Sequence, residues 1–142
     1  MSIQELERDL EQGLDIFYAK YKDTFERIQH HEVALREGAV ETPAAINDAM
    51  KELVSIYSTL NTATALVESK TKVKEAQSYI NRSDSLNGTK PSEKYINSFV
   101  VQDVSLYMRA CKIFSNYRDS CDRMTSVLQS SLNYAKKERV ID

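Results

Sequence analysis

PAAINDAMKELVSIYSTLNTATALVESKTKVKEAQSYINR, residues 43–82, decides the fold class. Ile46, Met50, Leu53, Tyr57, Leu60, Ala63 or Thr64, and Val67 recur at steps of three and four, the spacing of one face of an α-helix. Ile46, Leu53, Leu60 and Val67 keep a step of seven, and Met50, Tyr57 and Thr64 form the second seam of a heptad pattern. The pattern lasts about three heptads, which suits packing within one chain as well as a coil between chains. Thr42 before Pro43 reads as an N-cap and the first helical position, where proline's missing amide costs nothing. The spacing predicts one helix over about 43–82.

After Val67 the apolar stripe thins and positive charge collects. Lys70, Lys72, Lys74 and Arg82 fall close together, with Tyr79 among them. Lys70 and Lys74 are neighbours on one helical face. Lys72 points nearly the other way and lies seven residues before Tyr79, on its side. The cations therefore surround the helix, and Glu68 and Glu75 partly neutralise them. Two readings stand side by side. One is a solvated, mixed-charge helix end whose lysines suit the negative end of the helix dipole. The other is a phosphate-contacting surface with Tyr79 placed to stack on a base.

The rest of the chain is also helical in pattern. Ser2 followed by Glu5 fits a capping box, and Glu5, Glu7 and Asp9 suit the positive end of a helix dipole. Ile3, Leu6, Leu10, Leu14, Phe17, Tyr21, Phe25 and Ile28 then mark one face. Gly13 weakens this helix by about 1 kcal/mol relative to alanine, and the stripe runs on through it to about residue 37. The adjacent His30 and His31 point about 100° apart and read as solvated. RSDSLNGTKPS, residues 82–92, is a loop with an Asn87-Gly88 turn signal. Ser92 and Glu93 open a short helix. Val104, Tyr107, Cys111, Phe114, Cys121, Leu128, Leu132 and Ala135 stripe the last one, flanked by Tyr117 and Met124. Arg118 and Thr125 interrupt one seam, either fixing register or facing solvent. Lys136, Lys137 and Arg139 either compensate the dipole at its C-terminal end or form a second patch for nucleic acid or an acidic partner.

Composition agrees. The 142 residues carry 3 glycines and 2 prolines, too few stop signals for a β-protein of this length. The expectation is an all-α, elongated, single domain over residues 1–142, with helices over about 2–37, 43–82, 93–99 and 101–138, a loop over about 83–92, and oligomeric helix packing. A net charge of -2 and a pI near 5.8 argue against a broadly basic nucleic-acid binder, so phosphate contact falls to a local cluster. Cys111 and Cys121 lie about 15 Å apart along one helix, beyond disulfide reach, and suit a reducing compartment. No apolar run approaches the roughly 20 residues of a membrane span, and the polar, acidic N-terminus is unlike a signal peptide. A cytoplasmic protein is expected. There is no Gly-rich phosphate loop, G-x-S-x-G, H-E-x-x-H or C-x-x-C. Asp119 and Asp122 alternate with Arg118 and Arg123 as surface ion pairs, and Asp103 shows no converging partner. No enzyme, cofactor or metal site is expected.

The arrangement resembles the UvsY-like phage recombination mediators. SIQELERDLEQ looks like that family's acidic opening helix. VESKTKVKEAQSYI, residues 67–80, resembles its K-x-R-x-D-Y-Y segment, followed there too by a Gly-containing polar loop. DVSLYMRACKIFSNYRDSC, residues 103–121, keeps the Asp-Val start, the aromatic at Phe114 and the Asp119-x-Cys121 pair. Lys74 matches the family lysine and Tyr79 the first aromatic. Ala76, Ser78 and Ile80 stand where the family has Arg, Asp and the second Tyr. The resemblance implies a ring-like homo-oligomer that binds single-stranded DNA and helps a RecA-type recombinase displace the single-strand-binding protein, in the host cytoplasm. It implies DNA contact through the segment before the loop, and Lys70, Lys72 and Arg82 join Lys74 and Tyr79 as its candidate residues. The rival expectation is a helical assembly or adaptor protein with protein partners alone.

Overall fold

A computed structural model describes residues 2–84 and 91–141, with side chains described as far as residue 137. The loop expected over about 83–92, with its Asn87-Gly88 turn, falls mostly outside the described residues, as does the side chain of Arg139. The fold is all-α. Its helices are α1 (Ile3–Gln12), α2 (Leu14–Ala19), α3 (Lys22–Arg36), α4 (Pro43–Ser83), α5 (Glu93–Asp103) and α6 (Ser105–Ile141).

α4 is the axis. Its 41 residues make a rod about 60 Å long, and its largest interface is with α6. Two side-chain pairs fix the direction: Asn61 with Arg118 and Thr71 with Cys111. One number rises as the other falls, so the two helices are antiparallel. α1, α2 and α3 form the third layer. Glu11 meets Lys70, and Arg27 and His31 meet Glu52, so this layer also runs against α4.

The caps form where the sequence places them. Ser2 Oγ accepts from the Glu5 amide at 3.2 Å, Thr42 Oγ1 from Ala45 at 3.1 Å, and Ser92 Oγ from Tyr95 at 3.3 Å. Each satisfies an amide that the first helical turn leaves without a partner.

The first helix is not continuous. Gly13 takes an extended conformation (φ 162°, ψ 147°) and separates α1 from α2, and Tyr21 (φ -100°, ψ 1°) separates α2 from α3. The stripe survives both breaks: Leu6, Leu10, Phe17, Tyr21, Phe25 and Ile28 are buried, Leu14 packs at their edge, and Ile3 is exposed. The breaks re-aim this face onto α6. Around fully buried Phe114 stand Phe17 at 5.6 Å, Tyr18 at 5.5 Å, Tyr21 at 5.1 Å and Phe25 at 5.5 Å between ring centroids. Tyr117 stacks on Phe25 at 4.3 Å. Such pairs add about 0.5–1.5 kcal/mol each beyond area burial.

Along α4 the first seam, Ile46, Leu53, Leu60 and Val67, is buried as expected, but the second begins on other residues. Ala49, Ile56 and Ala63 are buried, whereas Tyr57 is exposed and Met50 half-buried. A straight helix drifts by about 20° per heptad against a strict seven-residue repeat. The positions after Tyr57 therefore rotate inward along the rod, and Thr64, Thr71 and Ser78 are buried. The inner face changes from aliphatic to hydroxylic. Thr64 and Thr71 satisfy their hydroxyls on the carbonyls of Leu60 and Val67, both at 2.7 Å.

The boundary expected near residue 100 lies at Val104 (φ -105°, ψ 6°), itself buried. Along α6, Ala110, Phe114, Cys121, Met124, Leu128 and Leu132 are buried, with Tyr107, Cys111 and Tyr117 at the margin. Met124, expected on the flank, is thus core. The polar break works across the interface: Arg118 donates to Asn61 Oδ1 at 3.3 Å, while Thr125 donates to the Cys121 carbonyl. Among the described residues no helix is long and apolar enough to cross a membrane.

Candidate nucleic-acid interface

The basic segment lies where the packing on α4 changes. The groove between α1 and α4 is lined by Gln4, Glu7, Arg8 and Glu11 opposite Ser69, Lys70 and Val73. Toward the C-terminal end of α4 its partner is α5, whose Asp103 and Phe99 meet Arg82. The five candidate residues are thus carried by one continuous helix, with different neighbours along it.

Lys70 is drawn toward α1. Its ammonium pairs with the Glu11 carboxylate, and its side chain is only 15% exposed. That hydrogen bond and charge hold Glu11 below the usual carboxylate range. Lys74, half-buried, places its ammonium 6.0 Å from the Tyr107 ring centroid. Lys72 is exposed, and among the described residues it has no ion-pair partner. It borders a shallow groove with Glu68, Thr71, Glu75, Met108 and Cys111. Tyr79 is half-buried and lies about 10 Å along the axis from Lys72, two turns on and on its side.

Arg82 is the most heavily engaged. Its Nε donates to Asp103 Oδ2 at 3.0 Å and its Nη2 to Asp103 Oδ1 at 2.9 Å, a two-pronged pairing. The guanidinium also lies 4.6 Å from the Phe99 ring centroid. Ser78 Oγ donates to the same carboxylate at 2.6 Å. These bonds, that from Arg82 first, hold Asp103 below its ordinary value, and the carboxylate in turn raises Arg82.

The structure brings Lys72 and Tyr79 onto one open side, and gives Lys70 and Arg82 acidic partners from other helices. Those partners, Glu11 and Asp103, escape a local reading of the sequence because they lie 59 and 21 residues away in the chain. His31, expected to be solvated, is instead largely covered and lies 2.9 Å from Glu52 Oε2, with Arg27 on the other oxygen at 2.9 Å. His30 is exposed, as expected. Among the described residues no group of three or more His, Cys, Asp or Glu is placed to hold a metal ion.

The fold and this segment define a class: an antiparallel helical bundle with a cationic, aromatic-bearing stretch on its central helix. Comparison with family models, with curated proteins and with solved structures finds no match to the chain.

Proposed function

We propose that this protein is a non-catalytic recombination mediator of the UvsY-like kind. It binds single-stranded DNA and promotes loading of a RecA-type recombinase against the single-strand-binding protein in phage homologous recombination and repair. The observation that carries the reading is Lys72, exposed and unpaired among the described residues, two helical turns before Tyr79 on the same side of α4. A free cation contacts the backbone of a strand and an aromatic ring stacks its bases, without need of sequence readout. One such site is weak. A ring-like homo-oligomer repeats it, and effective concentration multiplies the affinity, which reconciles nucleic-acid binding with a net charge of -2.

A second reading is supported by the apolar side chains exposed toward the same end: Val73, Ile80, Tyr95, Val101, Leu106 and Met108. They suit a helical assembly or adaptor protein with protein partners alone. The triple substitution Lys70→Ala, Lys72→Ala and Lys74→Ala separates the two. The mediator reading expects the oligomer to persist and single-stranded DNA binding to fall at least tenfold, consistent with loss of up to three phosphate contacts. Unchanged DNA binding by the triple variant contradicts the assignment of this segment. A folded oligomer that never retains DNA favours the adaptor.

A further inference from the structure

We infer that the basic segment is held masked by two acidic residues of neighbouring helices, Glu11 of α1 and Asp103 of α5, which occupy on Lys70 and Arg82 the positions that phosphates would take. This inference rests on the nucleic-acid reading above and adds a regulatory contact to it.

The geometry is specific at Arg82. The Nε/Nη2 edge of a guanidinium is a planar fork that fits a carboxylate and a phosphate alike. Asp103 fills that fork with both oxygens, at 2.9 and 3.0 Å. One of its two flat faces, on which a base could otherwise stack, lies against Phe99. α5 thus takes one hydrogen-bonding edge and one face of this residue, whose side chain stays 41% exposed. Ser78, from the same face of α4, donates to Asp103 and steadies the carboxylate. At the other end Glu11 pairs with Lys70, whose side chain is mostly covered, while Glu11 itself is 67% exposed. The masks come from two different helices, and Lys72, between them, is left open.

Pairs of this kind on a protein surface are weak, so a polyanion can displace them. Asp103 is the last residue of α5, beside the break at Val104, where a shift of α5 would release Arg82 without disturbing the α4–α6 core. DNA binding and α5 docking therefore compete for one guanidinium. A partner that draws α5 away raises DNA affinity, and by reciprocity DNA loosens α5.

The test is fluorescence anisotropy of a fluorescein-labelled oligo-dT strand with the full chain and five variants, each checked for helical content. Asp103→Asn keeps an acceptor for Ser78, and Glu11→Gln alters an exposed side chain. Asp48→Asn makes the same charge change at an exposed position near the start of α4. Arg82→Gln, alone and with Asp103→Asn, reports whether the effect passes through Arg82. Masking predicts that Asp103→Asn and Glu11→Gln each tighten binding by roughly two- to fivefold, that Asp48→Asn does not, and that the Asp103→Asn gain disappears without Arg82. Equal gains from all three neutralisations, no gain, or a gain that persists in the Arg82→Gln background overturns masking while leaving the DNA reading intact. No binding by any form at low salt overturns the DNA reading itself, and masking with it. Binding by the unmasked variants alone supports both.

Discussion

Phe114 sits at the centre of the aromatic cluster that joins α2 and α3 to α6. It is fully buried, with rings of Phe17, Tyr18, Tyr21 and Phe25 around it. Phe114→Ala should therefore cost about 3–5 kcal/mol, read as a lower urea midpoint with an unchanged slope. The thiols provide a second check at this scale. Burial pushes the Cys121 thiol up to about 11 and raises Cys111 as well. Since the thiolate is the nucleophile, Cys121 should react with Ellman's reagent only as fast as the core opens, and later than half-exposed Cys111. Prompt labelling of Cys121 in the folded protein would contradict its placement. Acid provides a third. Arg27, then His31, hold the Glu52 carboxyl below its ordinary value of 4.5. A depressed carboxylate stabilises the fold above its unfolded pKa and loses that contribution as pH falls through the folded value. Glu52→Gln should thus lower the urea midpoint at neutral pH and flatten its decline below about pH 4.5. At residue scale the sequence was readable where a role is local, as in the capping side chains of Ser2, Thr42 and Ser92. It was silent on Glu11 and Asp103, whose partners are set by helix packing.

At the scale of elements, the two described glycines with distinct backbones make opposite predictions. Gly13 is extended, and a methyl there would meet nothing closer than Ile16 Cδ1 at 4.0 Å. Gly13→Ala should leave the fold unchanged and raise stability by about 0.4–1 kcal/mol through a stiffer unfolded chain. Gly38 ends the α3 region at φ +69°, where a side chain costs about 1–2 kcal/mol, so Gly38→Ala should destabilise. Thermal midpoints of the two variants should move in opposite directions. The helices and their order were legible because apolar steps of three and four are a local property. Two features were not. The breaks at Gly13 and Tyr21 lie beside the rings that pack on Phe114 and Tyr117 of α6, which no window along the first stripe contains. The second seam of α4 was read four residues after the first, on Met50 and Tyr57. It begins instead three residues after, on Ala49 and Ile56, and later positions turn inward as the helix drifts against the heptad.

For the whole molecule, the central helix serves two ends. Its first two-thirds bury an aliphatic seam between two layers that each run against it. Its last third carries a hydroxylic seam inward, with Lys72 exposed and Lys70 and Lys74 half-buried beside it. Lys72 and Tyr79 share a side, and Glu11 and Asp103 hold the flanking cations. The charge cluster was visible in the sequence, but its pairing was not, since that depends on α1 and α5 arriving from distant parts of the chain. The central claim is that this segment binds single-stranded DNA through phosphate contact. The most direct test is the anisotropy of a labelled single strand titrated with the wild-type protein across a series of salt concentrations. The account predicts binding at low salt whose logarithm falls linearly with the logarithm of salt, at a slope of about -0.7 for each phosphate contacted. Folded, assembled protein that leaves the strand free at low salt, or binds it with no salt dependence, would contradict it.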